Sequence, residues 1–274
     1  MIEVSVCAGG MILNILGIFL GIAICGYLGL LLFSVVFTNR VLFPAPPSSY
    51  RDGEKALKIK TQSGLQITAS YIPCPNATHT ILYCVGNAED LGTARSNYAP
   101  LSTKGGFHVL AFDYPGYGTS EGQPTEKTVN EATEAAYQWL LSEKGLTSDK
   151  IVAYGRSLGG GPACELAKQK KLGGLILEQT FTSVYRVKTG IGILPGDVFE
   201  NIKKVDSIDC PLLIVHGKAD RLIPISHGKA LFRKAKDPKL CLWVDYAGHG
   251  NSVLNNAGNA YWQKIQEFRK LLSQ

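Results

Sequence analysis

Residues 150–161 read KIVAYGRSLGGG, and this stretch carries the argument about the fold. A short apolar run, Lys150–Tyr154, reads as a buried strand. It enters Gly155-Arg156-Ser157-Leu158-Gly159, and the apolar periodicity of Leu158–Lys170 then reads as a helix. A serine on a tight strand-to-helix turn, flanked by glycines that let the backbone bend without a Cβ clash, is a nucleophile elbow of the G-x-S-x-G type. Pro162 falls in about the first helical turn, where a missing N–H costs little. With 30 glycines in 274 residues, that five-residue pattern arises by accident in roughly one such chain in five. The strand before Ser157 and the helix after it give the pattern its weight.

Working outward, strands are predicted at Ala56–Lys60 and Gln66–Ile72, a hairpin joined by Gln62-Ser63-Gly64. Further buried strands are predicted at His79–Val85, Phe107–Phe112, Gly173–Glu178, Pro211–His216 and Leu240–Tyr246. Between them fall helical patterns at Glu126–Lys144, His227–Lys236 and Asn259–Leu272. In the first of these Val129, Ala132, Ala136, Trp139 and Leu140 repeat at i, i+3, i+4 spacing. Strands alternating with helices imply an α/β domain with a mostly parallel sheet covered on both faces.

A serine hydroxyl is a poor nucleophile until a base takes its proton, and that base needs an acid to hold it. For an elbow of this kind the chain order is serine, acid, histidine, with the last two on loops after later strands. Pro211–His216 ends in Gly217-Lys218-Ala219-Asp220, and Leu240–Tyr246 ends in Ala247-Gly248-His249-Gly250. Asp220 and His249 are therefore the expected acid and base, with Asp245 a rival acid. The other histidines fit less well. His79 and His108 precede the serine at strand starts, His216 ends a strand, and His227 opens a helix. Backbone N–H groups that would meet a developing oxyanion are expected from Leu158 and from Asn87, in the loop Gly86-Asn87-Ala88-Glu89.

Upstream, Met11–Phe37 contains one strongly polar side chain, Asn14, and no charge. That length exceeds the ~20 residues a hydrocarbon core requires, so it is a transmembrane candidate. The preceding MIEVSVCAGG has no basic n-region and the apolar run is too long for a signal h-region, which favours an uncleaved anchor over a signal peptide. The organisation expected is residues 1–40 carrying an anchor at about 11–37, a Pro-rich linker over 41–55, and a catalytic domain over 56–274. Arg40, Arg51, Lys55, Lys58 and Lys60 follow the anchor, which places the domain on the cytoplasmic side by the positive-inside rule. Asn76-Ala77-Thr78, a formal glycosylation acceptor, points the other way.

The net charge of +6 is scattered, without runs or aromatic interleaving, so a nucleic-acid partner is not expected. Seven cysteines form an odd set with no C-x-x-C, which excludes a regular disulfide framework and a zinc site and suggests buried free thiols.

From about Leu42 onward the chain resembles the bud-emergence-type branch of the α/β hydrolases, which includes the animal α/β-hydrolase-domain-containing proteins of types thirteen and seventeen, the latter protein depalmitoylases. The matching stretches are Gly86-Asn87-Ala88, the segment Asp113-Tyr114-Pro115-Gly116-Tyr117-Gly118 with Ser120-Glu121-Gly122-Gln123-Pro124-Thr125-Glu126, Gly155–Gly160, and Cys210-Pro211 through Asp220. The resemblance implies an α/β-hydrolase fold, cleavage of carboxylic esters or thioesters of acylated or lipid substrates, and no cofactor. It also implies a small cap over an open pocket at residues 180–209, with Ile191, Ile193 and Leu194 candidates for an acyl channel and simple packing the alternative. Membrane lipids and an acyl ester or thioester are then the partners expected. The family loop often reads His-Gly-Asn-Ala-Gly; here Val85 stands for the histidine and Glu89 for the last glycine. Two rival readings are a serine peptidase of the same fold and a membrane-tethered scaffold without chemistry.

Overall fold

The computed structural model describes residues 2–53, 56–190, 196–250 and 252–272. The N-terminal helix α1 (Ile2–Leu42) forms one compact unit and the chain from Phe43 onward the other. Within α1, Asn14–Leu32 has a mean hydropathy of 2.5 and none of it is buried, which makes it a candidate membrane span. The helix continues through Val41 and Leu42, so the expected linker loses its first two residues. The prolines that stop the helix begin only at Pro44.

The second unit is built on β1 (Leu57–Lys60), β2 (Gln66–Ile72), β3 (Thr80–Cys84), α2 (Arg95–Thr103), β4 (His108–Phe112), α3 (Glu126–Lys144), β5 (Ile151–Arg156), α4 (Gly160–Gln169), β6 (Gly174–Glu178), α5 (Val184–Thr189), β7 (Leu212–Gly217), α6 (Ile225–Lys234), β8 (Lys239–Val244), α7 (Ser252–Ala257) and α8 (Asn259–Leu271). The strands form one sheet in the order β1-β2-β4-β3-β5-β6-β7-β8. β2 runs antiparallel to both its neighbours, and β4, β3, β5, β6, β7 and β8 are mutually parallel. Every residue of β3, β5, β6 and β7 is buried, which is why those strands read as unbroken apolar runs rather than as alternating ones.

Helix α3 takes the span its periodicity predicts. Thr125 caps it and closes a reciprocal box with Thr128, and Gly145 ends it in the left-handed region at φ 63°. The strands sit within two residues of expectation, with one shift that matters. The nucleophile strand does not stop at Tyr154 but keeps pairing through Gly155 and Arg156, opposite Leu177 and Glu178 of β6. The expected helix from Leu158 starts as a tight 3-10 turn, Ser157–Gly159, before α4 proper. Three helices escape the sequence reading: α2, α5 and α7.

The thiol expectation is corrected in part. Cys84 and Cys164 are buried, and burial pushes both thiols up, but Cys74, Cys210 and Cys241 are half-buried and Cys25 is exposed on α1. Cys25, Cys74, Cys84, Cys164, Cys210 and Cys241 are all free.

Candidate active site

The loops after β3, β5, β7 and β8 all leave the same carboxyl edge of the parallel sheet, the edge at which α/β folds place ligands. Ser157 follows β5 with φ +52°, a left-handed conformation that a non-glycine residue adopts only when its surroundings impose it. Those surroundings are visible. A Cβ on Gly155 would lie 2.4 Å from the Gly159 carbonyl oxygen, and one on Gly159 would lie 2.1 Å from the Cys84 carbonyl oxygen. Both glycines of the motif are therefore required by backbone-to-backbone contact. The Thr180 hydroxyl adds a further restraint by donating to the Ser157 carbonyl at 2.7 Å.

The structure brings the sequence-derived residues together. His249 Nε2 lies 3.0 Å from Ser157 Oγ, and His249 Nδ1 lies 2.8 Å from Asp220 Oδ2. Asp220 is buried, and its Oδ1 accepts the backbone N–H groups of Leu222 and Ile223, both at 2.9 Å. Burial by itself would raise this carboxyl, yet the bonds from His249 and from the Ile223 N–H outweigh it, and its pKa falls below the ordinary value. The rival Asp245 is exposed and pairs with Lys218 at 2.7 Å.

Other histidines lie apart from Ser157. His79 and His108 sit at the amino ends of β3 and β4. The His216 ring is fully buried with Nε2 2.8 Å from the Ile223 carbonyl, and His227 Nδ1 is 2.9 Å from Thr182 Oγ1. Burial lowers the pKa of both.

Leu158 lies in the first turn of the helix, where backbone N–H groups have no intrahelical acceptor. Asn87 lies in the loop after β3, two residues beyond Val85, whose carbonyl with that of Cys84 crowds Gly159 of the elbow. Val85, in the position of the family histidine, is buried. Its carbonyl accepts the Tyr114 hydroxyl at 2.8 Å, and the Asn87 carbonyl accepts the Tyr117 hydroxyl at 2.5 Å.

Glu89, in the position of the family glycine, has a definite partner. Its Oε1 pairs with Arg156 Nη1 at 2.5 Å and its Oε2 accepts the Gly86 N–H at 3.0 Å. Arg156 Nε lies 3.3 Å from Glu178 Oε1, close enough for charge pairing but out of line for a hydrogen bond. Burial works against a charged guanidinium here, but Tyr83, Glu89 and Glu178 around it outweigh that and hold it protonated. Glu178 Oε2 in turn accepts from Tyr154 at 2.5 Å and from Tyr261 of α8 at 3.2 Å. One buried polar chain thus runs from the loop after β3, behind the serine, to the C-terminal helix.

Sequence reasoning missed this chain, and it missed Gln179. That residue, at φ +49°, donates from Nε2 to the Gly248 carbonyl at 2.5 Å and so steadies the loop carrying His249. No local signal marks either, because the partners are far apart along the chain. The expected cap region holds α5 and two 3-10 turns, Asn201–Lys203 and Val205–Ser207. Ile191, Ile193 and Leu194 lie outside the described residues. Among the described residues no group of His, Cys, Asp and Glu could hold a metal ion.

A sheet of this order with a serine elbow after its fifth strand defines an α/β hydrolase. Residues 80–185 match the family described as alpha/beta hydrolase fold. The human alpha/beta hydrolase domain-containing protein 17B is 35% identical over 235 residues, covering 83% of this chain and 78% of that protein. The Caenorhabditis elegans protein aho-3, also named as an alpha/beta hydrolase domain-containing protein, is 36% identical over 203 residues, covering 72% of this chain and 59% of its own length. The chain therefore belongs to the α/β-hydrolase family. Among solved structures, the Pyrococcus furiosus esterase Pf2001 superposes with a TM-score of 0.68 at 17% identity, covering 82% of this chain and 96% of that one, which is a likeness of fold.

Proposed function

We propose that the protein is a membrane-anchored serine hydrolase that cleaves carboxylic ester or thioester bonds of acylated or lipid substrates. The observation that carries this reading is the line Asp220–His249–Ser157, with contacts of 2.8 and 3.0 Å. In the reaction, Ser157 Oγ attacks the acyl carbonyl while His249 Nε2 takes the hydroxyl proton. Asp220, held by two backbone N–H groups, keeps His249 oriented and stabilises the imidazolium. The negative charge on the tetrahedral intermediate is met by the N–H groups of Asn87 and Leu158. The intermediate collapses to an acyl-serine as His249 returns the proton to the departing alcohol or thiol. Water, deprotonated by His249, then attacks the acyl-serine, releasing the fatty acid and regenerating Ser157.

The apolar helix Asn14–Leu32 supports anchoring in a bilayer, and the basic residues from Arg40 onward support a cytoplasmic catalytic domain on a single-pass anchor. Tethering of that kind keeps the serine among lipids and lipidated chains. The likeness to an esterase agrees with simple acyl transfer.

The test is labelling of full-length protein by a fluorophosphonate probe, followed by turnover of acyl esters and acyl-cysteine peptides of graded chain length. Wild type is expected to label and turn over, and Ser157→Ala to do neither. A wild-type protein that stays unlabelled and inert would sink the hydrolase reading in favour of a tethered scaffold. Protease protection in sealed vesicles tests the orientation.

A further inference from the structure

The segment between the apolar helix and the sheet is docked on the catalytic unit. Phe43 is buried and packs edge-on against Phe199, ring centroids 6.4 Å apart. Phe199 in turn fills the space beside Gly161 of the elbow helix, where a Cβ would meet its ring at 2.3 Å. Ser49 donates its N–H and its hydroxyl to the two oxygens of Asp90, at 2.6 and 2.5 Å. The Tyr50 hydroxyl donates to Asp113 Oδ2, and Asp113 Oδ1 accepts the Leu91 N–H at 2.7 Å. Asp90 and Asp113 are 2% and 0% exposed, so these are not surface contacts that water would readily replace.

The polar attachments converge on one loop, the stretch after β3 that runs through Gly86, Asn87, Asp90 and Leu91. The Asp113–Gly118 segment is the junction: Tyr50 holds it at Asp113, and its Tyr117 hydroxyl donates to the Asn87 carbonyl. In a trans peptide the C=O and the following N–H point in opposite directions. Holding the Val85 carbonyl with Tyr114 and the Asn87 carbonyl with Tyr117 fixes the two peptides on either side of the one that carries the Asn87 N–H. The direction of that N–H is thereby set from outside the loop.

We propose that residues 43–50 act as a strap of the active site, and that Tyr117 and Tyr50 are positioning residues that aim the Asn87 N–H at the oxyanion. This role rests on the hydrolase reading above. It gives the Asp113–Gly118 segment, the most distinctive stretch of the sequence, a task that its spacing alone does not show. It also makes the rate of acyl transfer depend on the residues that follow the apolar helix.

The experiment uses the full-length protein in detergent micelles, with Tyr117→Phe, Tyr50→Phe and Ser49→Ala, assayed below their unfolding midpoints. Each variant keeps the fill of its site and loses only hydroxyl bonds. Readouts are kcat and KM on an acyl ester, and the affinity of a trifluoromethyl ketone carrying the same acyl chain, which adds to a serine as a tetrahedral oxyanion. Loss of an oxyanion donor costs on the order of 10²–10³ in kcat. Misaiming one is expected to lower kcat roughly tenfold in Tyr117→Phe. Ketone affinity should fall in parallel while KM stays, and Tyr50→Phe and Ser49→Ala should follow in the same direction by smaller factors. A merely structural role would lower the unfolding midpoint and leave kcat and ketone affinity alone, which would overturn the proposal. So would a loss confined to KM, or an effect of Tyr117→Phe that neither strap variant shares. Wild-type protein without turnover, or turnover that survives Ser157→Ala, would instead defeat the hydrolase reading itself, and the strap's role with it.

Discussion

Removing the carboxylate of Glu89 strips one of two partners from a guanidinium whose side chain is only 5% exposed. Breaking a buried pair by deleting one member costs about 3–5 kcal/mol, because the remaining charge stays buried. Glu178 remains near Arg156 at 3.3 Å but out of hydrogen-bonding line, and Glu89 itself is 19% exposed, so Glu89→Ala belongs at the lower end, about 3 kcal/mol. The Gly86 N–H and the Asn97 side-chain amide lose an acceptor in the same change. For domains of this size 1 kcal/mol moves the unfolding midpoint by about 2–4 °C, which gives a drop of about 6–12 °C. Glu89→Gln keeps the shape and an acceptor oxygen and is expected to lose about half as much. The assay is thermal unfolding of the full-length protein followed by circular dichroism, run as a double-mutant cycle with Arg156→Met. A coupling of about 2 kcal/mol or more between the two sites is expected for charges in direct contact. A midpoint for Glu89→Ala within about 1 °C of wild type, or a coupling under about 0.5 kcal/mol, would refute the view that this pair is a buried strut.

Asp220→Asn leaves the position of His249 in place but favours the wrong ring tautomer, and kcat is expected to fall by about 10³–10⁴ with little change in KM; turnover near the wild-type rate would assign the acid elsewhere. Gly159→Ala drives a methyl to 2.1 Å from the Cys84 carbonyl, so the elbow and β3 must separate; a stability loss of about 1–3 kcal/mol and slower probe labelling are expected, and unchanged labelling would argue against that close approach. Burial lowers the pKa of both His216 and His227 below the ordinary 6.5. Their contribution to stability is therefore present above pH 6.5 and lost as pH falls through their folded values, because the unfolded chain takes up the protons first. The urea midpoint should drop on acidification below pH 6.5, and less so in His227→Gln; a midpoint in that variant falling as steeply as in wild type would count against the assignment.

Much of the sheet is legible in the sequence because burial on both faces leaves the strands as plain apolar runs between polar turns. Helix α3 is legible to the residue, since its apolar stripe and its Thr125 cap agree. Helix α2 is not. Two of its four buried positions are Asn97 and Ser102, Pro100 sits inside it, and no side chain caps its start, so neither periodicity nor end signals mark it. Helices α5 and α7 have six residues each, too few for a period to register. The order of Ser157, Asp220 and His249 follows from strand counting, and the distances among them follow from the sheet. The supports are another matter. Glu89 and Arg156 stand 67 positions apart, and Ser49 and Asp90 stand 41 apart. Contacts at such separation are created by the fold and leave no mark on the spacing of neighbours.

The bond from Tyr261 to Tyr154 and Glu178 has a consequence for synthesis. Translation makes α8 after β5 and β6, so those strands emerge with the Tyr154 hydroxyl and the Glu178 carboxylate still waiting for the residue that completes them. The rear support of the nucleophile strand closes only when the final helix folds back. A chain that stops short of α8 would carry Ser157 on a strand whose polar support is unfinished.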